Sequence, residues 1–188
     1  MADARAALAE HVELVGRIEE LLPRVDEVAR RIIDAYANGG RVYTFGNGGS
    51  AADSLHFAEE LVARFKRERR PLAAQSLAAD PTVLTCIAND YEYDDVFARQ
   101  VRAFARRGDV VIGFTTSGRS RNVVRALEAA RQAGATTVLY GGGDGKPAAD
   151  HADLALVVPS SSTARVQEMH VLLLHVVLEQ VDSWVAGE

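Results

Sequence analysis

The segment Gly46-Asn47-Gly48-Gly49-Ser50 constrains this chain more than any other. It follows a run of strand character, Arg41 to Phe45, and precedes a stretch of helical composition from Ala51 to Phe65. Gly46, Gly48 and Gly49 let the backbone turn sharply and approach a ligand closely. A helix start behind them presents unpaired N–H groups and a partial positive charge. Asn47 and Ser50 add side-chain donors there.

The unit recurs. Asp109 to Phe114 reads as a second strand, Thr115-Thr116-Ser117-Gly118-Arg119-Ser120 as its loop, and Asn122 to Ala133 as a helix closed by Gly134. Thr115, Thr116, Ser117 and Ser120 bring four hydroxyls, each able to donate to a phosphate oxygen without adding net charge. Shorter strands are expected at Leu72 to Leu77, Thr136 to Tyr140 and Leu154 to Val158. Alternation of this kind predicts an α/β fold: a parallel sheet with helices on both faces and ligands at the C-terminal strand ends. Two loops of this type side by side point to a cleft for a phosphorylated sugar. Helical patterns at Ala4 to Leu22 and Arg24 to Ala37, split by Pro23, predict an antiparallel helical lead-in. A long apolar helix from Thr163 to about Val185 ends the pattern, with much of its surface expected against another subunit.

Two simpler readings compete. Ser50 and Ser120 would also serve as plain helix caps. Gly46 to Ala51 also satisfies the G-x-G-x-x-[GA] dinucleotide fingerprint, but the expected acidic residue about 20 positions on is missing from Arg70 to Gln75, and Asp80 comes late.

With 188 residues, the chain reads as one continuous domain, 1–188. Its net charge of -5 argues against a general nucleic-acid binder, and no stretch has the length of a membrane span. No secretory signal is apparent at the N-terminus. Cys86, the one cysteine, lies in the apolar run Val83 to Ile87 and is expected to be buried; a reducing, cytoplasmic setting fits.

His56 and Glu60, four residues apart on a helix, share a face; Gln167 and His175, eight apart, share another. Together they make a plausible Zn²⁺ set with the amide oxygen as its weakest ligand. Spacing alone equally allows ordinary surface histidines, with Glu60 paired to Arg64. His11 and His151 read as surface residues without partners, and His170 as structural.

The chain resembles the sedoheptulose 7-phosphate isomerases (phosphoheptose isomerases) of the sugar isomerase (SIS) superfamily. The likeness is carried by Phe45 to Ser50, Leu55 to Leu61, Ile87 to Asp90, Thr115 to Gly118 with Ser120, and Ala164 to His170 followed by His175. It implies a five-stranded parallel sheet in a flavodoxin-like three-layer arrangement, a homotetramer, and one Zn²⁺ per subunit on His56, Glu60, Gln167 and His175. It further implies contacts to the sugar phosphate from Asn47, Gly48, Gly49, Ser50, Glu60, Asn89, Asp90, Thr115, Thr116, Ser117, Ser120 and Gln167. The implied reaction interconverts sedoheptulose 7-phosphate and D-glycero-D-manno-heptose 7-phosphate, the first step of nucleotide-activated heptose biosynthesis, with Glu60 as base and His175 as acid. Ala164 stands where some members carry Asp, and Thr115 where Ser is common. Two alternatives remain: an isomerase of another sugar phosphate, and a non-catalytic SIS protein of the replication-initiator-associating type. The latter lack the last metal histidine, which His175 supplies here.

Overall fold

Strands β1 (Val42–Gly46), β2 (Ala74–Ser76), β3 (Val110–Thr115), β4 (Thr136–Gly142) and β5 (Leu154–Val158) form one parallel sheet in the order β2-β1-β3-β4-β5 in a computed structural model. The structure describes residues 3–187. Every residue of β1 and of β3 is buried, because helices cover both faces of the sheet and leave no side for polar residues. The order is that of flavodoxin-like folds, with a switch of direction between β1 and β3.

On one face lie α2 (Leu22–Ala37), α3 (Gly49–Val62) and α7 (Thr163–Ala186), which pack Ile32, Phe57, Leu61, Leu173 and Val177 onto Ile112 and Tyr140. On the other lie α4 (Pro81–Asp90), α5 (Ala98–Phe104) and α6 (Arg121–Ala133), with Phe97, Val101 and Leu127 against Phe45 and Leu139. Asp80 caps α4 by accepting from the N–H groups of Thr82 and Val83, with Pro81 in its first turn, and Gly134 closes α6 in the left-handed region. Sequence periodicity did not mark α4 and α5 as helices.

The lead-in is not antiparallel. Helix α1 (Ala4–Arg17) passes through a 3₁₀ turn at Ile18–Leu21 into α2, and Arg17, Ile18, Leu21 and Leu22 all keep right-handed helical dihedrals, so the chain never reverses. Pro23 sits in the first turn of α2, where its missing N–H costs nothing. Both helices pack on α7, which is thus covered mainly by α1, α2 and α3 of its own chain.

Cys86 is exposed, not buried. On α4 the core side is Val83, Leu84 and Ile87, and Cys86 points off that stripe with its Sγ 3.5 Å from Asp90. That hydrogen bond, more than any other influence, raises the thiol pKa. Among the described residues, no helix is long and apolar enough to cross a membrane.

Candidate active site

The first strand-loop-helix unit carries two of the candidate side chains. Helix α3 is preceded by Gly48, whose φ of +55° favours glycine, and carries His56 and Glu60 one turn apart. Helix α7 runs beside it: Gly49 meets the amide of Gln167 so closely that a Cβ there would collide with Nε2, and two turns on His56 meets His175. His56 Nε2 lies 3.4 Å from His175 Nε2 and 3.3 Å from Glu60 Oε1, and ligand atoms of all three residues fall within 4.8 Å of one another.

Those spacings fit a metal. Four ligands at about 2.0–2.1 Å around zinc are separated by roughly 3.3–3.4 Å along a tetrahedral edge. Two imidazole nitrogens facing each other offer two lone pairs to a cation but a poor hydrogen bond to one another. Phe65 stacks on the His175 ring with centroids 5.6 Å apart. Burial, and then the neighbouring His56, lower the His175 pKa, which favours the neutral ligand form. Glu60 is not engaged by Arg64, which pairs with Glu68 instead. Gln167 is seated against Gly49, two turns from the trio.

Behind the trio, Arg69 is almost wholly buried. It donates to the carbonyls of Glu60 and Leu61 at the end of α3 and pairs with Asp182 of α7 at 3.1 Å. This brace ties together the two helices that carry the trio. Asp53, one turn before His56, has its carboxyl pushed up to about 6 by burial, and its Oδ2 has no hydrogen-bond partner among the described residues.

The hydroxyl loops are not spent on caps. Ser120 occupies the N-cap position of α6, and Ser50 the first turn of α3, yet neither makes a side-chain capping bond. Thr115 Oγ1 lies 3.2 Å from Ser120 Oγ, and Ser117 Oγ accepts from the Arg119 N–H. Thr116, Ser117 and Arg119 line a cavity with Gly143, Ser161 and Thr163, at the start of α7. Ser161 and Thr163 belong to this wall, and no local pattern in the sequence marks them. A separate depression near Gly40 and Gly108 lies at the opposite ends of β1 and β3, away from all these groups.

Asn47 joins the two loops. Its amide exchanges two hydrogen bonds with that of Asn122, at 2.8 and 2.9 Å, and its Oδ1 also accepts from the Tyr93 hydroxyl. Neither Asn122 nor Tyr93 stood out in the sequence, because the pairing spans 75 positions in one case and 46 in the other. Asn89 and Asp90 lie exposed at the end of α4, with the Asn89 amide donating to Asp90, a few residues before Tyr93.

The remaining histidines divide. His170 is structural as expected: fully buried, it bonds through Nε2 to the Gly141 carbonyl and packs edge-on against Tyr140. His11 and His151 are not partnerless. His11 Nδ1 is 2.7 Å from Glu168, tying α1 to α7, and His151 Nε2 is 3.4 Å from Glu128.

Comparison with known proteins agrees with this layout. Residues 8–140 match the SIS domain family. The chain is 49% identical over 165 residues to the phosphoheptose isomerase of Roseiflexus sp. (strain RS-1), covering 88% of this chain and 84% of that one. Among solved structures, the phosphoheptose isomerase of Neisseria gonorrhoeae superposes with a TM-score of 0.91 at 39% identity, over 95% of this chain and 96% of that one. One from Francisella tularensis gives 0.92 at 30% identity, with the same coverage. With the loops, the helix pair and near-full-length identity all in agreement, the chain belongs to the phosphoheptose isomerase family of SIS-domain proteins.

Proposed function

We propose that this protein is an aldose-ketose isomerase that interconverts sedoheptulose 7-phosphate and D-glycero-D-manno-heptose 7-phosphate, at the entry to nucleotide-activated heptose biosynthesis. The observation that carries the reading is the convergence of His56 and Glu60, on the helix that leads out of the first loop, with His175 on α7 packed against it. A non-catalytic SIS protein would have no use for this trio.

In this account the phosphate is held by the hydroxyls of Ser50, Thr115, Thr116, Ser117 and Ser120 and by backbone N–H groups around Gly48 and Gly49, with the start of α7 closing the cavity. Glu60 removes a C1 proton from the ketose to give the enediol, and the proton returns to C2 to give the aldose. His175, through Nδ1, the ring nitrogen that does not face His56, moves the proton between the O1 and O2 oxygens, so that the C2 carbonyl becomes a hydroxyl and the C1 hydroxyl a carbonyl. Asp90 and Gln167 orient the sugar hydroxyls, with Asn47 and Asn89 as further donors. His56, Glu60 and His175 would hold a Zn²⁺, with Gln167 as the fourth, weakest ligand once its amide turns from Gly49. Bound there, the ion would polarise the substrate oxygens and offset the charge that develops on them.

We also propose a homotetramer. Leu8, Val12 and Val15 form an exposed apolar stripe on α1 that supports burial against another subunit. Light scattering that gives a monomer mass would remove that part of the proposal.

The test is an isomerase assay across five- to seven-carbon ketose phosphates. Turnover confined to the seven-carbon substrate is expected. Preference for a shorter sugar would transfer the assignment to another sugar phosphate, and no turnover of any would favour a binding role.

A further inference from the structure

Asn122 is 2% exposed and sits in the first turn of α6, outside the hydroxyl loop that precedes it. A buried amide must find partners, and this one finds the Asn47 amide in both directions: Asn47 Nδ2 donates to Asn122 Oδ1 at 2.9 Å, and Asn122 Nδ2 donates to Asn47 Oδ1 at 2.8 Å. The Tyr93 hydroxyl adds a third bond, to Asn47 Oδ1, at 2.9 Å.

The pair spans the switch point of the sheet. Gly46 at the end of β1 is in register with Phe114 near the end of β3, so the two loops leave the sheet side by side. Asn47 stands in the first loop and Asn122 just behind the second. Arg125, one turn further along α6, pairs with Glu92 and Asp95 on either side of Tyr93, so the third member of the network is held from the same helix.

The hydrogen-bond count fixes the Asn47 amide. Its oxygen receives two donors and is saturated, and one of its two Nδ2 hydrogens goes to Asn122. The other Nδ2 hydrogen has no partner among the described residues and points away from Asn122. Without Asn122 the amide is free to turn over, and a carbonyl oxygen would then face the oxygens of an anionic ligand.

We infer that Asn122 is a positioning residue. It sets the amide of Asn47 so that the free N–H donates to the sugar phosphate, and it locks the two loops at one spacing. The inference rests on the isomerase reading for the identity of the ligand.

A double-mutant cycle tests it, with the dissociation constant of sedoheptulose 7-phosphate read by calorimetry beside kcat. Asn122→Ala is expected to weaken binding about tenfold, the effect of stranding one hydrogen-bond partner. Asn47→Ala should do the same, and the double variant should be no worse than Asn47→Ala within about twofold, because both act through one amide. Asn122→Asp, nearly isosteric, keeps the packing but replaces the donor to Asn47 Oδ1 with a repelling oxygen; it should lose about tenfold with Asn47 present and about twofold or less in an Asn47→Ala background, while still melting cooperatively, and an equal loss in both backgrounds would be charge repulsion alone and count against the inference. A purely structural role would lower the melting temperature and leave the dissociation constant of the folded fraction unchanged. That result, or losses that multiply in the double variant, overturns the inference. Additivity in an enzyme that turns over sugar phosphates removes this proposal alone; a wild-type protein that neither binds nor converts the ligand removes the isomerase reading, and this proposal with it.

Discussion

The Nε2 atoms of His56 and His175, 119 residues apart in sequence, stand 3.4 Å from each other where α3 and α7 run side by side. With Glu60 Oε1 3.3 Å from His56, two of the three donor–donor distances match the edge of a zinc tetrahedron, and all three donors lie within 4.8 Å of one another. Purified protein is expected to hold about one Zn²⁺ per chain by elemental analysis, and His56→Ala or His175→Ala should reduce that several-fold after dialysis. Unchanged zinc in both variants would mean that the metal binds elsewhere.

Glu60→Gln keeps the size of the side chain but cannot take a proton. At equal zinc occupancy it should lower kcat by about 10²–10⁴-fold with little change in KM. Steady-state kinetics that return a near-wild-type kcat would remove Glu60 from the role of base.

Ser117 is the most exposed hydroxyl of its loop and lines the cavity at the start of α7. Ser117→Ala should weaken sugar phosphate binding by about 1 kcal/mol, or roughly fivefold, with kcat largely retained. Calorimetric titration that gives the wild-type affinity would place the phosphate away from this loop.

His170 predicts a pH dependence of stability. Burial lowers its pKa from 6.5 in the unfolded chain to about 4 in the fold, against a smaller opposing effect of its bond to Gly141. The neutral ring is therefore the folded form, and its Nδ1 has no hydrogen-bond partner among the described residues to share a proton's charge. Its contribution is fully present above about pH 6.5 and is lost as pH falls toward 4, by roughly 3 kcal/mol as an upper bound. Urea denaturation at a series of pH values should show this slope in the wild type and a shallower one in His170→Gln, whose side chain stays neutral. Equal slopes would assign the acid sensitivity to other groups.

The features readable in the sequence were those with a local signature. β1 and β3 are almost wholly apolar and end in glycine or hydroxyl loops, so the parallel sheet followed from pattern alone. His56 and Glu60 share a helix face by spacing, but nothing local joins them to His175; only the packing of α3 on α7 does. The direction of the lead-in is not legible locally, because Pro23 suits the first turn of a helix as well as a break between two. The exposure of Cys86 is not legible either, because a short, mostly apolar run looks alike whether it is buried throughout or turns only one stripe of α4 to the core. Asn122, Tyr93 and Arg69 were invisible for a single reason: each acts through a partner brought near only by the tertiary fold.

Turnover of sedoheptulose 7-phosphate by chelated and reconstituted protein tests the proposed metal-dependent isomerase centre at His56, Glu60 and His175 directly. Protein stripped of metal should convert the ketose at a small fraction of the original rate, and about one equivalent of Zn²⁺ per chain should restore it in the wild type but not in His175→Ala. Full turnover by the stripped protein, or full restoration in the variant, would contradict the assignment.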